Sequence, residues 1–370
     1  MKQTWLIISL GFALFSMFFG GGNLVFPILL GQESGNNFLM GALGITITGV
    51  VVPFLGVFAM LMYGGNLNAI FSAFGRHGTF IFSLIGLSLL GPFGVVARCL
   101  TVSHGALTLL YNDLSLPISS FILCAVIFFL AINKSRIIKL LGTFLSPFLL
   151  ISLGAIAIFG LWHGESAYPN HTNQGEIFLN GIFQGYQTMD LLAGFFFSRF
   201  IINHLRNYLT ETGQKKAMFS IFMKASLIGM GLLAAIYFVL VTLGANYAQI
   251  LEGKPPQEML GLIAFQCLGP FAAPCVCLAI VFACTTTAIV LSSFFAEFVN
   301  MEMTKGKMGN TLSLLITMGI AFGISTLDFN GIAEFLGPIV ELIYPALIVI
   351  TIIKIGMRAK ELSTGVFQRP

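Results

Sequence analysis

Four places in this sequence combine residue types and spacing that suit the binding of small charged ligands. Gly20-Gly21-Gly22-Asn23, followed by Pro27, interrupts an apolar run. Gly185-Tyr186-Gln187-Thr188-Met189-Asp190, flanked by Gly181 and Gly194, sets Gln, Thr and Asp between Ile177-Phe178 and Phe195-Phe196-Phe197. Thr285-Thr286-Thr287 follows Phe282-Ala283-Cys284, and Arg98 stands inside a further apolar run. Each glycine in a helix interior costs about 1 kcal/mol relative to alanine. Glycines that serve helix packing recur at a four-residue spacing, whereas Gly20, Gly21 and Gly22 are contiguous and end in an amide. Their pattern predicts unwound backbone, whose free N–H and C=O groups survive at membrane depth only where they line a cavity or are covered by protein. Asp190 could simply cap a half-helix, which is compatible with a site. An ionisable group in such a run is by default a functional hypothesis. A lone threonine in a helix commonly bonds the preceding turn. Three in a row cover most of the helix circumference, so one must face a neighbour, where hydroxyl and carbonyl oxygens suit a hard cation such as Na+.

The elements that carry these residues must cross a membrane. Of 370 residues, 57% are hydrophobic and only 9% charged, against about 25% charged in soluble domains. A span takes roughly 20 apolar residues, and the sequence divides into ten helices over 5–30, 37–63, 78–110, 116–132, 137–162, 176–202, 217–245, 275–299, 310–327 and 331–355. No small-residue cleavage site follows Trp5 to Phe19, so the first span is expected to remain in the mature protein. Sixteen of the eighteen Lys and Arg fall on one side of this arrangement, with Lys254 alone opposite and Arg98 within a span. Basic residues stay cytoplasmic, which places both termini inside and the loop 163–175 in the periplasm. From Gly20 to Thr188 is 168 positions, close to half of the helical region. Breaks at matching positions of two halves point to a transporter binding site. The expected fold is all-α and polytopic: two five-helix repeats, 1–162 and 176–355, necessarily inverted because five is odd, then a cytoplasmic tail over 356–370.

With the elements in place, Gly11 to Pro27 resembles the opening motif of the branched-chain amino acid:cation symporters, the bacterial branched-chain amino acid transport system II carriers. Gly91-Pro92-Phe93 with Arg98 and Thr101-Val102-Ser103, Gly185 to Asp190, and Ile343-Tyr344-Pro345-Ala346 resemble the family's third, sixth and tenth helices. The matches run in order over nearly the whole chain. The resemblance implies the leucine-transporter fold, with helices 1 and 6 broken, and sodium-coupled uptake of leucine, isoleucine or valine by alternating access in a bacterial inner membrane. It further implies one sodium held by the Phe18 carbonyl, Asn23 and Thr188. A second would sit among the carbonyls of Ser16, Phe19 and Ala283 and the hydroxyls of Thr286 and Thr287. The substrate carboxylate would rest on the backbone N–H groups of Gly20, Gly21 and Gly22, with Tyr186, Gln187, Thr188, Asp190 and Arg98 as further substrate contacts. The chain departs from the family pattern at Gly21 and Ile28, where Ala and Pro are common. It also ends soon after the tenth helix, where members commonly continue into two more. Asp190 has no carboxylate counterpart in the leucine transporter itself.

Arg98 either snorkels to an interface or pairs with Asp190 or Glu341. His104 reads as a satisfied interior histidine. Glu334 and Glu341 share a helix face and could line an outer vestibule, over which Pro255 to Pro274 could fold as a lid. Cys275-x-Cys277 lacks zinc spacing and has no histidine nearby. The net charge of +4 says nothing about nucleic acid; none is expected as a partner, no obligate protein partner is evident, and the expected partners are the amino acid and the lipid bilayer. The competing class is a proton-coupled transporter of another neutral amino acid, with Asp190 carrying the proton. No H-E-x-x-H, G-x-S-x-G or Cys–His pairing supports an enzyme. Clustering of the polar groups at one depth argues against a channel.

Overall fold

The first apolar run folds as two helices, α1 (Gln3–Phe18) and α2 (Gly21–Ser34), because its contiguous glycines let the chain leave helical geometry between them. Gly20 is extended, at φ −122° and ψ −166°. The computed structural model describes residues 3–71, 75, 77–111, 113–132, 146–164, 167, 172–211 and 218–363. Lys2, Arg76, Lys134, Arg136, Lys139, Lys215, Lys216, Arg369 and much of the loop 163–175 lie outside the described residues. Within α2, Pro27 has no N–H to give the Asn23 carbonyl four residues earlier, which frees a second backbone oxygen beside the break.

The second run is α3 (Phe38–Thr46) and α4 (Val52–Met62), joined by a π-helical turn over Ile47–Val51 and followed by the short α5 (Leu67–Phe71). A single helix was expected over 78–110. Instead α6 (Gly78–Leu90) and α7 (Val95–Thr108) flank a turn at 91–94, where Pro92 lacks a donor and Gly91 and Gly94 are non-helical. Then come α8 (Leu116–Ile132), α9 (Ser146–His163) and the sixth run, split into α10 (Gln174–Gln187) and α11 (Asp190–Glu211). After α12 (Met218–Asn246) and the short α13 (Ala248–Leu251), α14 (Met259–Phe298) starts well before the expected 275. It is hinged at Gly269, whose φ of +72° no helix accommodates. α15 (Asn310–Ser325) precedes α16 (Asp328–Ser363), which carries helix into the expected tail. Helix is thus found in each of the ten predicted stretches. Among the described residues, five helical stretches are long and apolar enough to cross a membrane, and shorter apolar helices lie before and between them.

Two groups of helices pack against each other. In one, α1 and α2 lie on α12, α3 lies on α10, and α4 on α11; in the other, α14 is surrounded by α7, α8, α9 and α15. The pairings recur with an offset of five spans. First-on-seventh returns as sixth-on-second, and fifth-on-eighth returns as tenth-on-third, with α16 on α7. Backbone meets backbone in the first group. A Cβ on Gly44 would strike the Phe178 carbonyl, and one on Gly181 would strike the Gly41 carbonyl. Small residues give helices this approach where the bilayer provides no hydrophobic drive between them.

Candidate functional site

The two breaks meet through side chains. Asn23 accepts from the Gly20 N–H through Oδ1 at 3.3 Å. Its amide nitrogen donates to Asp190 Oδ2 at 2.7 Å and to the Tyr237 hydroxyl at 2.6 Å. The Tyr237 hydroxyl in turn donates to the same Asp190 oxygen at 2.9 Å. All three residues are buried. In the second break Met189 adopts φ +60°, a left-handed conformation that costs a non-glycine residue about 1–2 kcal/mol. This turn allows α11 to start at Asp190. The Thr188 hydroxyl donates to the Gly185 carbonyl at 2.9 Å. Both side-chain oxygens expected around a first sodium, those of Asn23 and Thr188, are thus engaged within their own breaks. Phe18 ends α1, with its ring edge-on to Phe197 at 5.5 Å.

The second expected ion set is brought together. Ser16, Phe19, Ala283, Thr286 and Thr287 all line one cavity of about 800 Å³. The Thr287 hydroxyl donates to the Phe19 carbonyl at 3.4 Å, spanning α14 and the first break, and Thr286 donates to the Ala283 carbonyl at 2.7 Å. These are hydroxyl and carbonyl oxygens, the donor set a hard cation takes. Further along, the cavity walls carry Arg199 and Asn203 on α11 and Ser293 and Glu297 on α14, between Phe196, Phe200 and Phe294. A space of this size accommodates a small amino acid.

Arg98 neither snorkels nor pairs with a carboxylate. It is buried on α7, and its two terminal nitrogens donate to the Gln187 carbonyl at 2.6 Å and to Gln187 Oε1 at 2.8 Å. Its guanidinium lies over the Phe26 ring at 4.9 Å and near the Phe329 ring at 5.8 Å, while its Nε has no partner. Glu334 and Glu341 are exposed on α16 and are not among the hydrogen-bond partners of Arg98, which are the Gln187 carbonyl and Oε1. Tyr186 stacks obliquely on Tyr344, with ring centroids 5.1 Å apart.

The glycine corner is more crowded than its sequence suggested. A Cβ on Gly21 would come within 3.2 Å of Cys99 Cα and 3.3 Å of the Arg98 carbonyl, so Gly21 is there to let α2 lie on α7. Gly20 faces Thr287, and Gly22 faces the Phe26 ring. His104 is satisfied by Ser119 Oγ at 2.8 Å. Of the segment Pro255 to Pro274 expected as a lid, Pro256–Glu258 packs on α7, α2 and α16, with the Gln257 carbonyl against Gly105, and the remainder from Met259 is the start of α14 rather than a loop. Tyr237 is the member that sequence reasoning missed. A tyrosine set among aliphatic residues in the seventh span was the available signal, since a buried hydroxyl needs a partner.

A family model described as branched-chain amino acid transport protein matches residues 3–369. The branched-chain amino acid permease BrnQ of Bacillus subtilis is 33% identical over 338 residues, covering 87% of this chain and 75% of that protein. The permease of the same name from Lactobacillus delbrueckii subsp. lactis is 30% identical over 366 residues, covering 95% and 81%. Among solved structures, an Eremococcus coleocola manganese transporter superposes with a TM-score of 0.61 at 15% identity, over 95% of this chain and 76% of that one. At that identity the likeness concerns the fold.

Proposed function

This chain belongs to the branched-chain amino acid transport protein family, and from that premise we propose that it takes up leucine, isoleucine or valine by sodium-coupled symport. It is a multi-pass membrane transporter and not an enzyme. The observation that carries the coupling is the meeting of the Thr287 hydroxyl with the Phe19 carbonyl at the head of the cavity. Here the eighth span touches the first break, with Thr286, Ala283 and Ser16 alongside. In this reading a sodium at that junction ties α14 to α1, and the substrate occupies the breaks at Gly20–Gly22 and Tyr186–Asp190. Asn23, Thr188 and the Phe18 carbonyl take another sodium once their present hydrogen bonds turn outward.

The cavity runs along α1 to Phe19 at the edge of the first break and along the ends of α11 and α14 at Arg199, Asn203, Glu297 and Phe298, while the Arg98 guanidinium is stacked on Phe26 and Phe329 beyond that break. With basic loops inside, this is a state open to the cytoplasm. Alternating access would exchange it for one in which the Arg98 cluster parts and the cavity closes. The test is uptake of labelled leucine into proteoliposomes with an imposed sodium gradient. Uptake that follows a pH gradient and ignores sodium would replace this reading with a proton-coupled one centred on Asp190.

A further inference from the structure

Two ionisable side chains are buried at the second break, one on each side of Thr188–Met189. Asp190 is 2% exposed and begins α11; Arg98 is 1% exposed and grips Gln187, the last residue of α10. Neither has an oppositely charged partner among the described residues, although an uncompensated buried charge is among the costliest features a fold can carry. Both are held by neutral groups whose geometry imitates an ion. The two Gln187 oxygens lie 2.6 Å and 2.8 Å from the two terminal nitrogens of Arg98, the fork that a carboxylate fills. Asp190 Oδ2 receives an N–H from Asn23 and an O–H from Tyr237, as it would receive the hydrogens of an ammonium group. The Tyr344 hydroxyl is fully buried and no partner meets it in good hydrogen-bond geometry, although the backbone of Leu191 and Leu192 at the start of α11 lies near it, as do Asp190 and Arg98. Its ring stacks with Tyr186, and the Arg98 guanidinium rests on Phe26 and Phe329, so the surroundings are apolar.

We propose that Arg98 and Asp190 are the two charged anchors of the substrate. The guanidinium takes the α-carboxylate in place of Gln187, the Asp190 carboxylate takes the α-ammonium in place of Asn23 and Tyr237, and the Tyr344 hydroxyl completes the site between them. The assignment rests on the amino-acid transport reading and gives each charged end of that substrate its own partner. A zwitterion brings to a buried site the two counter-charges that Arg98 and Asp190 lack. An α-keto acid, an amine or an amino-acid amide brings at most one. The backbone N–H groups of the glycine corner then assist a carboxylate whose main counter-charge is Arg98. Gln187, Asn23 and Tyr237 hold the two side chains whenever the substrate is away.

The experiment is equilibrium binding to purified, monodisperse protein in saturating sodium. The probes are leucine, isocaproate (leucine without its ammonium) and isoamylamine (leucine without its carboxylate). Wild-type protein should bind leucine at least about 10- to 100-fold more tightly than either analogue, the range of one lost charge-assisted interaction. Asp190→Asn should lose that advantage for leucine while binding isocaproate at least as well as wild type. Arg98→Gln should lose it while retaining isoamylamine, and Arg98→Lys should recover part of the leucine affinity. Equal loss of leucine and of the matching analogue in each variant would show that the two residues act structurally and would overturn the assignment. Where a variant does not fold, the wild-type protein decides alone: isocaproate or isoamylamine binding as tightly as leucine is incompatible with two charged anchors. Wild-type protein that binds no branched-chain amino acid would instead overturn the transport reading itself.

Discussion

Tyr237 on α12 donates its hydroxyl hydrogen to Asp190 at the start of α11, 2.9 Å away and 47 positions earlier in the chain. The same hydroxyl accepts from Asn23 in the first break, so one phenol ties the seventh span to both interrupted spans. Removing it should expose what the three residues do. Tyr237→Phe leaves the Asn23 amide and the Asp190 oxygen each one partner short, at a cost of about 1–3 kcal/mol to the substrate-free protein. Because substrate is expected to displace Tyr237 from Asp190, leucine-bound protein should lose less. Thermal melting of the variant should show a lowered midpoint but a larger stabilisation by leucine than in wild type. An unchanged leucine-induced shift would disconnect Tyr237 from substrate binding.

The ion junction is testable at two hydroxyls. Thr286→Ala combined with Thr287→Ala keeps helix-forming residues in α14 and removes two hydroxyl ligands of the proposed sodium. The sodium concentration for half-maximal leucine uptake should rise by about tenfold or more, while detergent-extracted protein remains monodisperse. Thr287→Ala alone should carry more of the effect, since only Thr287 reaches the Phe19 carbonyl across helices. A well-folded double variant with wild-type sodium dependence would remove the eighth span from the ion site.

Gly21 separates packing from ligand approach. Its missing Cβ makes room for the α7 backbone at Cys99, so Gly21→Val should force α2 away from α7 and reduce folded yield as well as transport. Gly21→Ala needs a shift of only a few tenths of an ångström and should be mild. Gly231→Ala on α12, where nothing lies within 4 Å, should leave folding and uptake unchanged. Normal yield of Gly21→Val with transport lost would return Gly21 to a role at the ligand.

The open cavity can be mapped by labelling. In a background lacking Cys267 and Cys275, Ser293→Cys on the cavity wall should react with a membrane-impermeant thiol reagent supplied from the cytoplasmic side only. Sodium with leucine should slow the reaction as the population shifts. Labelling from the periplasmic side at equal rate would reverse the orientation assigned to the chain.

Much of this site was legible because its causes are local. Contiguous glycines before Asn23, a Pro four residues later, and Gln, Thr and Asp in an otherwise apolar run all disturb a helix where they stand, and the chain breaks there. The turn at 91–94 has a local cause too, in Gly91-Pro92, but a membrane helix tolerates one proline often enough that its composition alone did not separate a kink from an interruption. The partners were not legible. Arg98 meets Gln187 across 89 positions, and Asn23 meets Tyr237 across 214; such pairs are fixed by how helices pack and leave no periodic trace. Gly21 shows the same limit from another direction. Its type was plain, yet whether the space beside it holds a ligand or a neighbouring backbone depends on where α7 lies.

The glycine contacts between α3 and α10 and the hydrogen bonds missing at the two breaks imply a division of mechanical labour. At Gly44 and Gly181 the neighbouring backbones touch with no side chain between them, so that seam has no rotamers to exchange and behaves as a weld. At Gly20 and Met189 the helical ladder is already interrupted, and bending there sacrifices few further bonds. Torque applied at the proposed ion and substrate sites would therefore be delivered through rigid arms to two joints. The half-helices on the ligand's flanks can swing while the welded pairs beside them travel as single pieces.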